Sequence, residues 1–404
     1  VIDASFNRAT EGLRVIEDFV RFVLDDGLLT RLAKEARHDL VSLISGQTPL
    51  FAPGREQALI ETRAKRSSHE KTWPGKEPDG LWVAIDLHGA RETGRDVGTQ
   101  ISTGAETCRN TPADVCAASF QRVKQAIRSL EEFGKLTTPL RSAALETLRY
   151  RVYTLERCVT LAAVSRERLA TSRLCVLIDG CENQQAFLTL IGELMTAGVG
   201  MIQLRDKQLG DAILAARARL LVERTRPSPE GMALNGGQPQ DQNGRNGGQT
   251  QNGNQTLAII NDRPDLAAVV HADGVHLGQE DLSVKDARMI VGPRALVGVS
   301  IHSIDQARTA VLDGANYLGV GPTFPSPTKD FATYPGLELL RQVADEIGLA
   351  AYAIGGIQAE NLLGVLATGI EHIAVSSAVT RAPEPGAAAG RLLKILAEKS
   401  TDSE

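Results

Sequence analysis

Arg205 and Lys207 alternate at the end of a short apolar run, so on an extended backbone both side chains project to the same side. Asp262 follows the next such run, and Asp281 lies beyond the one after it. Two carboxylates with two cations suit a Mg²⁺-bound polyphosphate. The carboxylates hold a hard cation that bridges phosphate oxygens, and the guanidinium and ammonium neutralise the remaining charge. Surface salt bridges are the alternative use of the same four residues. Further along, IGGI at 354–357 and VSSA at 375–378 set glycines and serines where backbone amides and a following helix start would receive a phosphate. Tight-turn glycines with incidental serines are the competing reading there. The expected ligands therefore carry two anionic groups, and the expected cofactor is Mg²⁺.

These residues belong to a series. QLRDK at 203–207, IND at 260–262, GVHLGQED at 274–281, GVSIHS at 298–303 and GPTFPSPTKD at 321–330 precede IGGI and VSSA. Each follows a short run rich in Val, Ile, Leu and Ala, the pattern of strands buried on both faces. Strands are expected near 174–179, 199–204, 257–261, 274–277, 296–300, 317–321, 350–355 and 372–376. Amphipathic stretches follow most clusters; Ser303-Ile304-Asp305-Gln306, for example, opens a helical run that stops at Asp313-Gly314. That order predicts an α/β fold, a TIM (β/α)8 barrel over 172–397 with its chemistry at the carboxyl ends of the strands. The segment 227–256 is dominated by Gly, Asn, Gln and Pro, and we expect it to be a disordered insertion on the opposite face of the barrel.

Residues 1–168 read instead as a helical domain. Phe6, Leu13, Ile16, Val20 and Val23 recur at helical spacing, as do Leu28, Leu32, Leu40, Leu43 and Ile44. ASFNRATEGLRVIEDF at 4–19 aligns without gaps to ASFQRVKQAIRSLEEF at 118–133, with seven identities in sixteen positions, which predicts a duplicated helical hairpin. Between the copies, 81–85 fits a short strand or a helix fragment, and the loop 91–98 offers two arginines to an anion or to solvent.

The ordered set of clusters resembles thiamine-phosphate synthase over about 172–397. The resemblance implies condensation of a hydroxymethyl-aminopyrimidine diphosphate with a thiazole phosphate, releasing diphosphate. It implies that Gln203, Arg205, Lys207 and Asn261 hold the pyrimidine diphosphate, with Ser300, Lys329 and His276 on the same side. Asp262 and Asp281 become the Mg²⁺ ligands. Ser326, Thr328, Gly356, Ser376 and Ser377 would hold the thiazole phosphate; the family commonly carries Thr where this chain has Ser326. Catalysis would rest on Arg205, Lys207, Lys329 and Ser300 stabilising the leaving group, with no nucleophilic triad. A thiazole tautomerase and a non-catalytic thiazole-phosphate sensor are the alternatives; neither needs the full set of diphosphate and metal residues. DASFNRATEGLRVIEDFVRFVLDD is similar to a helical extension fused to some members of that family, and homo-oligomerisation is one expected use of it. His271, His302 and His372 are given no role.

Bulk composition narrows the classes. A net charge of −5 and an aromatic content of 4% offer neither a basic nor a base-stacking surface, so no nucleic-acid partner is expected. No apolar run approaches the roughly 20 residues of a membrane span, Val1 opens no recognisable signal peptide, and the five cysteines lack metal-ligand spacing. Small-molecule substrates in a reducing cytoplasm are the expectation.

Overall fold

Period-two alternation inside the apolar runs decides which side chains enter a barrel and which face its helices. The computed structural model describes residues 1–45, 109–136, 139–226, 256–325 and 334–401. Two compact units divide it, Val1–Thr160 and Leu161–Glu404.

The second unit is a closed parallel barrel. Its strands are β1 (Leu174–Ile178), β2 (Met201–Leu204), β3 (Leu257–Asn261), β4 (Gly274–Leu277), β5 (Leu296–Ile301), β6 (Tyr317–Val320), β7 (Ala350–Ile354) and β8 (His372–Val375). The register places Gln203 beside Leu177 and Ile259, Asn261 beside His276, His276 beside Gly298, and Ser300 beside Gly319. Leu257, Leu296, Met201, Cys175, Tyr317, Tyr352 and Ala374 fill the lower interior together with Leu169. There Tyr352 donates its hydroxyl to Ser172 O at 2.6 Å. β2 starts two residues later than expected. Gly198 has a φ of 88°, and a Cβ on Gly200 would lie 2.5 Å from Ser172 Cα, so these residues make the turn into the strand. Thr256 ends the Asn/Gly-rich segment, yet it is buried, its hydroxyl donating to Val199 O at 2.8 Å, so the expected disorder does not extend to this residue. The rest of that segment, 227–255, lies outside the described residues, as do the readings at 81–85 and 91–98.

In the first unit, α1 (Ile2–Phe19) runs into a π-helical turn (Val20–Leu24) before α2 (Gly27–Ser45), and α3 (Pro112–Gly134) precedes α4 (Pro139–Leu169). The division between the units falls within α4. α1 and α3, which carry the two copies of the repeated sequence, pack closely at Gly12, where a Cβ would sit 2.6 Å from Val123 Cγ2. The copies also bury equivalent acids: Glu17 accepts from Arg37 Nε at 2.9 Å, and Glu131 from Arg149 Nε at 2.9 Å. Val23 is a correction. The π turn takes more residues per turn than an α-helix, so Val20 and Leu24 face the core and Val23 is 42% exposed.

Helices of the barrel unit follow the strands: α5 (Gln184–Thr196), α6 (Asp211–Thr225), α7 (Pro264–Val270), α8 (Val284–Val291), α9 (Ile304–Asp313), α10 (Gly336–Glu346), α11 (Leu362–Leu366), α12 (Ser377–Thr380) and α13 (Pro385–Thr401). α9 shows why such sequences stop and start where they do. Ser303 accepts from Gln306 N, and Gly314 takes a φ of 97° at the far end. Among the described residues no helix is long and apolar enough to cross a membrane.

Candidate active site

Gln203, Arg205, Asn261, His276, Ser300, Gly356, Ser376 and Ser377 line one cavity of about 440 Å³ at the carboxyl ends of the strands. They come from β2 to β5, β7 and β8, and alternation alone turns the strand residues among them inward. Gln203 donates from Nε2 to Asn261 Oδ1 at 2.6 Å. That bond leaves Gln203 Oε1 as an acceptor and Asn261 Nδ2 as a donor for a ligand. Pro325 and Tyr334 also line the cavity. Between them, Ser326, Thr328 and Lys329 lie outside the described residues.

Lys207, Asp262 and Asp281 stand together beside this cavity. Lys207 Nζ is 3.2 Å from Asp262 Oδ2, and Asp281 Oδ2 accepts from Gly278 N at 2.6 Å. Asp262 has a φ of 59°, a conformation that Asp and Asn tolerate better than most residues, and its N–H donates to His276 O at 2.8 Å. Burial pushes the Asp281 carboxyl above its ordinary value, and the hydrogen bond and charge of Asp262 push it further. Two crowded carboxylates beside an ion-paired lysine make a hard oxygen donor set. Among the described residues no three His, Cys, Asp or Glu side chains gather as a closed metal cage. As oxygen donors the two carboxylates are of the kind Mg²⁺ takes, one or two from protein with water and phosphate oxygens completing its shell.

His276 lies deeper, 8% exposed, with Nε2 2.9 Å from Ser300 Oγ and Nδ1 3.2 Å from Tyr317 Oη. Burial pushes its pKa from 6.5 down to about 4, so the ring is neutral at physiological pH. The unfolded chain takes up a proton in that window and the folded chain does not, so this residue makes stability fall as pH falls. The loss attributable to it is about 2 kcal/mol between pH 6.5 and 5. Urea midpoints measured at the two pH values should fall less for His276→Gln than for the native chain. Equal falls in both would remove His276 as the source. His372 is also pushed down by burial, and the comparison with the variant separates the two.

On the other side of the mouth, Gly355 and Gly356 adopt φ values of 100° and 64°. A Cβ on Gly356 would lie 2.8 Å from Pro325 O, so only glycine lets this turn close against the 321–325 segment that follows β6.

Sequence reasoning missed several lining residues. Tyr317, Tyr352 and Cys175 sit inside apolar runs and look like core, although period two counted back from the polar clusters would have placed them in the interior. His302, two residues beyond Ser300, does line the cavity. His372 instead opens β8 at the amino end of the strand, its ring centroid 5.0 Å from that of Tyr352, and His271 caps α7 with a φ of 55°.

The thiamine-phosphate synthase of Rhodopirellula baltica is 37% identical to this chain over 396 residues, covering 96% of this chain and 88% of that protein. The chain belongs to the thiamine-phosphate synthase family. The family's Gloeobacter violaceus member is 35% identical over 387 residues, covering 96% of this chain and 93% of its own. Coverage of that extent takes in the helical residues as well as the barrel. A family model described as thiamine monophosphate synthase matches residues 248–379, and one described as the ThiD2 family matches 1–72 and 56–158. Among solved structures, a thiamine phosphate pyrophosphorylase from Pyrococcus furiosus is 31% identical, covering 57% of this chain and 98% of that one with a TM-score of 0.47.

Proposed function

We propose that this chain is a thiamine-phosphate synthase, joining a hydroxymethyl-aminopyrimidine diphosphate to a thiazole phosphate to give thiamine phosphate and diphosphate, with CO2 released as well where the thiazole is carboxylated. The observation that carries this reading is the single cavity in which Gln203, Arg205, Asn261 and Ser300 face Gly356, Ser376 and Ser377. One wall suits a diphosphate and the other a monophosphate. Family membership supports the same reading.

The bond from the pyrimidine methylene to the diphosphate oxygen breaks first, its electron pair leaving with the oxygen. The electron-rich aminopyrimidine carries the resulting positive charge. Arg205, Lys207 and Ser300 meet the charge growing on the leaving group, and Lys329 is assigned the same task by family resemblance. Held by Asp262 and Asp281, Mg²⁺ would add Lewis-acid stabilisation of that charge. The Gly356–Ser376–Ser377 side holds the thiazole phosphate, with Ser326 and Thr328 assigned to the same substrate by the resemblance. The thiazole nitrogen is thereby kept near the methylene, and its lone pair forms the new C–N bond. The buried, neutral His276 adds no positive charge beside that cation.

The test is direct. The native chain is incubated with both precursors and Mg²⁺, and thiamine phosphate is detected by its oxidation to fluorescent thiochrome. No product, under conditions where a family member makes it, would sink the proposal. Isomerisation of a thiazole phosphate without the pyrimidine would point to the tautomerase instead.

For the helical unit we propose homo-oligomerisation. Phe22 and Leu136 each stand three residues beyond their copy of the repeat and are 69% and 81% exposed, which supports a partner surface. Sedimentation of the native chain against Phe22→Glu/Leu136→Glu tests it; a native monomer would end the idea. A cytoplasmic location is in keeping with the free cysteines Cys116, Cys158, Cys175 and Cys181, and cell fractionation tests it.

A further inference from the structure

Two glycines of the barrel interior are hollowed around two rings. A Cβ on Gly298 would lie 2.1 Å from Cζ of Tyr317, and one on Gly319 would lie 3.0 Å from Cε1 of His276. Any larger residue would displace the tyrosine or crowd the histidine. The rings they admit form a chain of hydrogen bonds that ends at the cavity: Tyr317 Oη to His276 Nδ1 at 3.2 Å, then His276 Nε2 to Ser300 Oγ at 2.9 Å. Tyr317 is 2% exposed, and among the described residues its hydroxyl has no other hydrogen-bond partner.

This geometry gives the chain a direction. If His276 carried its proton on Nδ1, it would donate to Tyr317 Oη, and the phenol hydrogen would have no acceptor among the described residues. If Tyr317 donates to Nδ1, every buried hydrogen is used. The imidazole proton then sits on Nε2 and is donated to Ser300 Oγ. A serine hydroxyl that accepts from histidine keeps its own hydrogen for the cavity. With the opposite polarity, Ser300 would donate to Nε2 and present only lone pairs to an anion. Polarity therefore decides whether Ser300 attracts or repels a leaving diphosphate.

We propose that Tyr317 is a positioning residue: through His276 it fixes the polarity of Ser300, so that the serine hydrogen points into the cavity toward the leaving diphosphate. The inference rests on the proposed reaction for the identity of that anion. Tyr317 lies at the base of the cavity and acts through the two residues after it. Its position explains why a tyrosine hydroxyl stands in an otherwise apolar stretch of β6, and why β5 and β6 carry glycine where a barrel interior ordinarily carries branched side chains.

The test uses the full chain labelled with ¹⁵N-histidine at neutral pH, the His276 signals being assigned by their absence in His276→Gln. The expected spectrum shows an unprotonated Nδ1 and a protonated Nε2. A protonated Nδ1, in either a neutral or a charged ring, overturns the relay. Kinetics give a second, independent measurement. Tyr317→Phe should lower kcat about tenfold while KM moves less than about twofold, the size expected when one hydrogen bond to a developing charge is lost. In a Ser300→Ala background the same change should cost nothing further, because its route to the substrate is already cut. Equal losses from Tyr317→Phe in both backgrounds overturn the proposal. A native chain that makes no thiamine phosphate overturns the reaction and with it the anion assigned to Ser300, whereas an Nδ1-protonated ring overturns the relay alone.

Discussion

Asp262→Asn should lower kcat/KM for thiamine phosphate formation by about two to three orders of magnitude with Mg²⁺ present. Asparagine is the informative replacement because Asp262 has a φ of 59°, which asparagine also tolerates, so the backbone is kept and only the charge is removed. Lys207 would lose its carboxylate partner at 3.2 Å, and Asp281 would lose the neighbour that helps to raise its pKa. The metal dependence should change in the same experiment. Protons and Mg²⁺ compete for the same oxygens, so the native chain should bind Mg²⁺ more weakly as pH falls. The weakening should begin above the ordinary carboxylate range, because Asp281 is pushed up. In Asp262→Asn that weakening should move to lower pH. Rates within a few-fold of native, with an unchanged Mg²⁺ requirement, would remove Asp262 from the metal site.

The second large effect concerns stability. Glu131 is 3% exposed and receives Arg149 Nε at 2.9 Å and Arg128 Nη1 at 2.6 Å. Glu131→Ala leaves the Arg149 guanidinium, itself 8% exposed and lying over the Tyr150 and Tyr153 rings, with only the half-exposed Glu146 carboxylate 3.7 Å away. Removing one partner of a buried pair costs about 3–5 kcal/mol, because the other charge stays buried with its best partner gone; the longer Glu146 contact places this variant toward the lower end. Amides of α3 and α4 in the full-length variant should therefore exchange hydrogen about a hundredfold or more faster than in the native chain. Glu17→Ala should cost less, since Arg37 is the more exposed partner, with 20% of its side chain accessible against 9% for Arg149. Unchanged protection in Glu131→Ala would mean that the pair adds nothing to the helical unit.

Much of the barrel was legible in the chain because its signals are local. An apolar run followed by a polar cluster marks a buried strand and the loop at its carboxyl end, and Ser303 and Gly314 mark the ends of a helix by their own hydrogen bonding and backbone freedom. Alternation from Arg205 back to Gln203 gives the inward face of β2 without any knowledge of its neighbours. Val23 shows where such reasoning fails. Helical spacing assumes a constant number of residues per turn, and the π turn at Val20–Leu24 breaks that assumption without a mark in the pattern of apolar residues.

The sequence by itself therefore determined the strand order, the inward positions and the chemical types at the mouth: cations, paired acids, and a glycine-serine cradle. Only the tertiary structure decided which of these groups touch. Asp262 meets Asp281 and Lys207, Gln203 meets Asn261, and His276 meets both Ser300 and Tyr317, a residue 41 positions away. Those pairings follow from barrel closure and strand register, which bring distant parts of the chain within hydrogen-bond reach. The room for the two rings comes from glycines on neighbouring strands. Local sequence fixes what each residue can do, and packing fixes what it does it to.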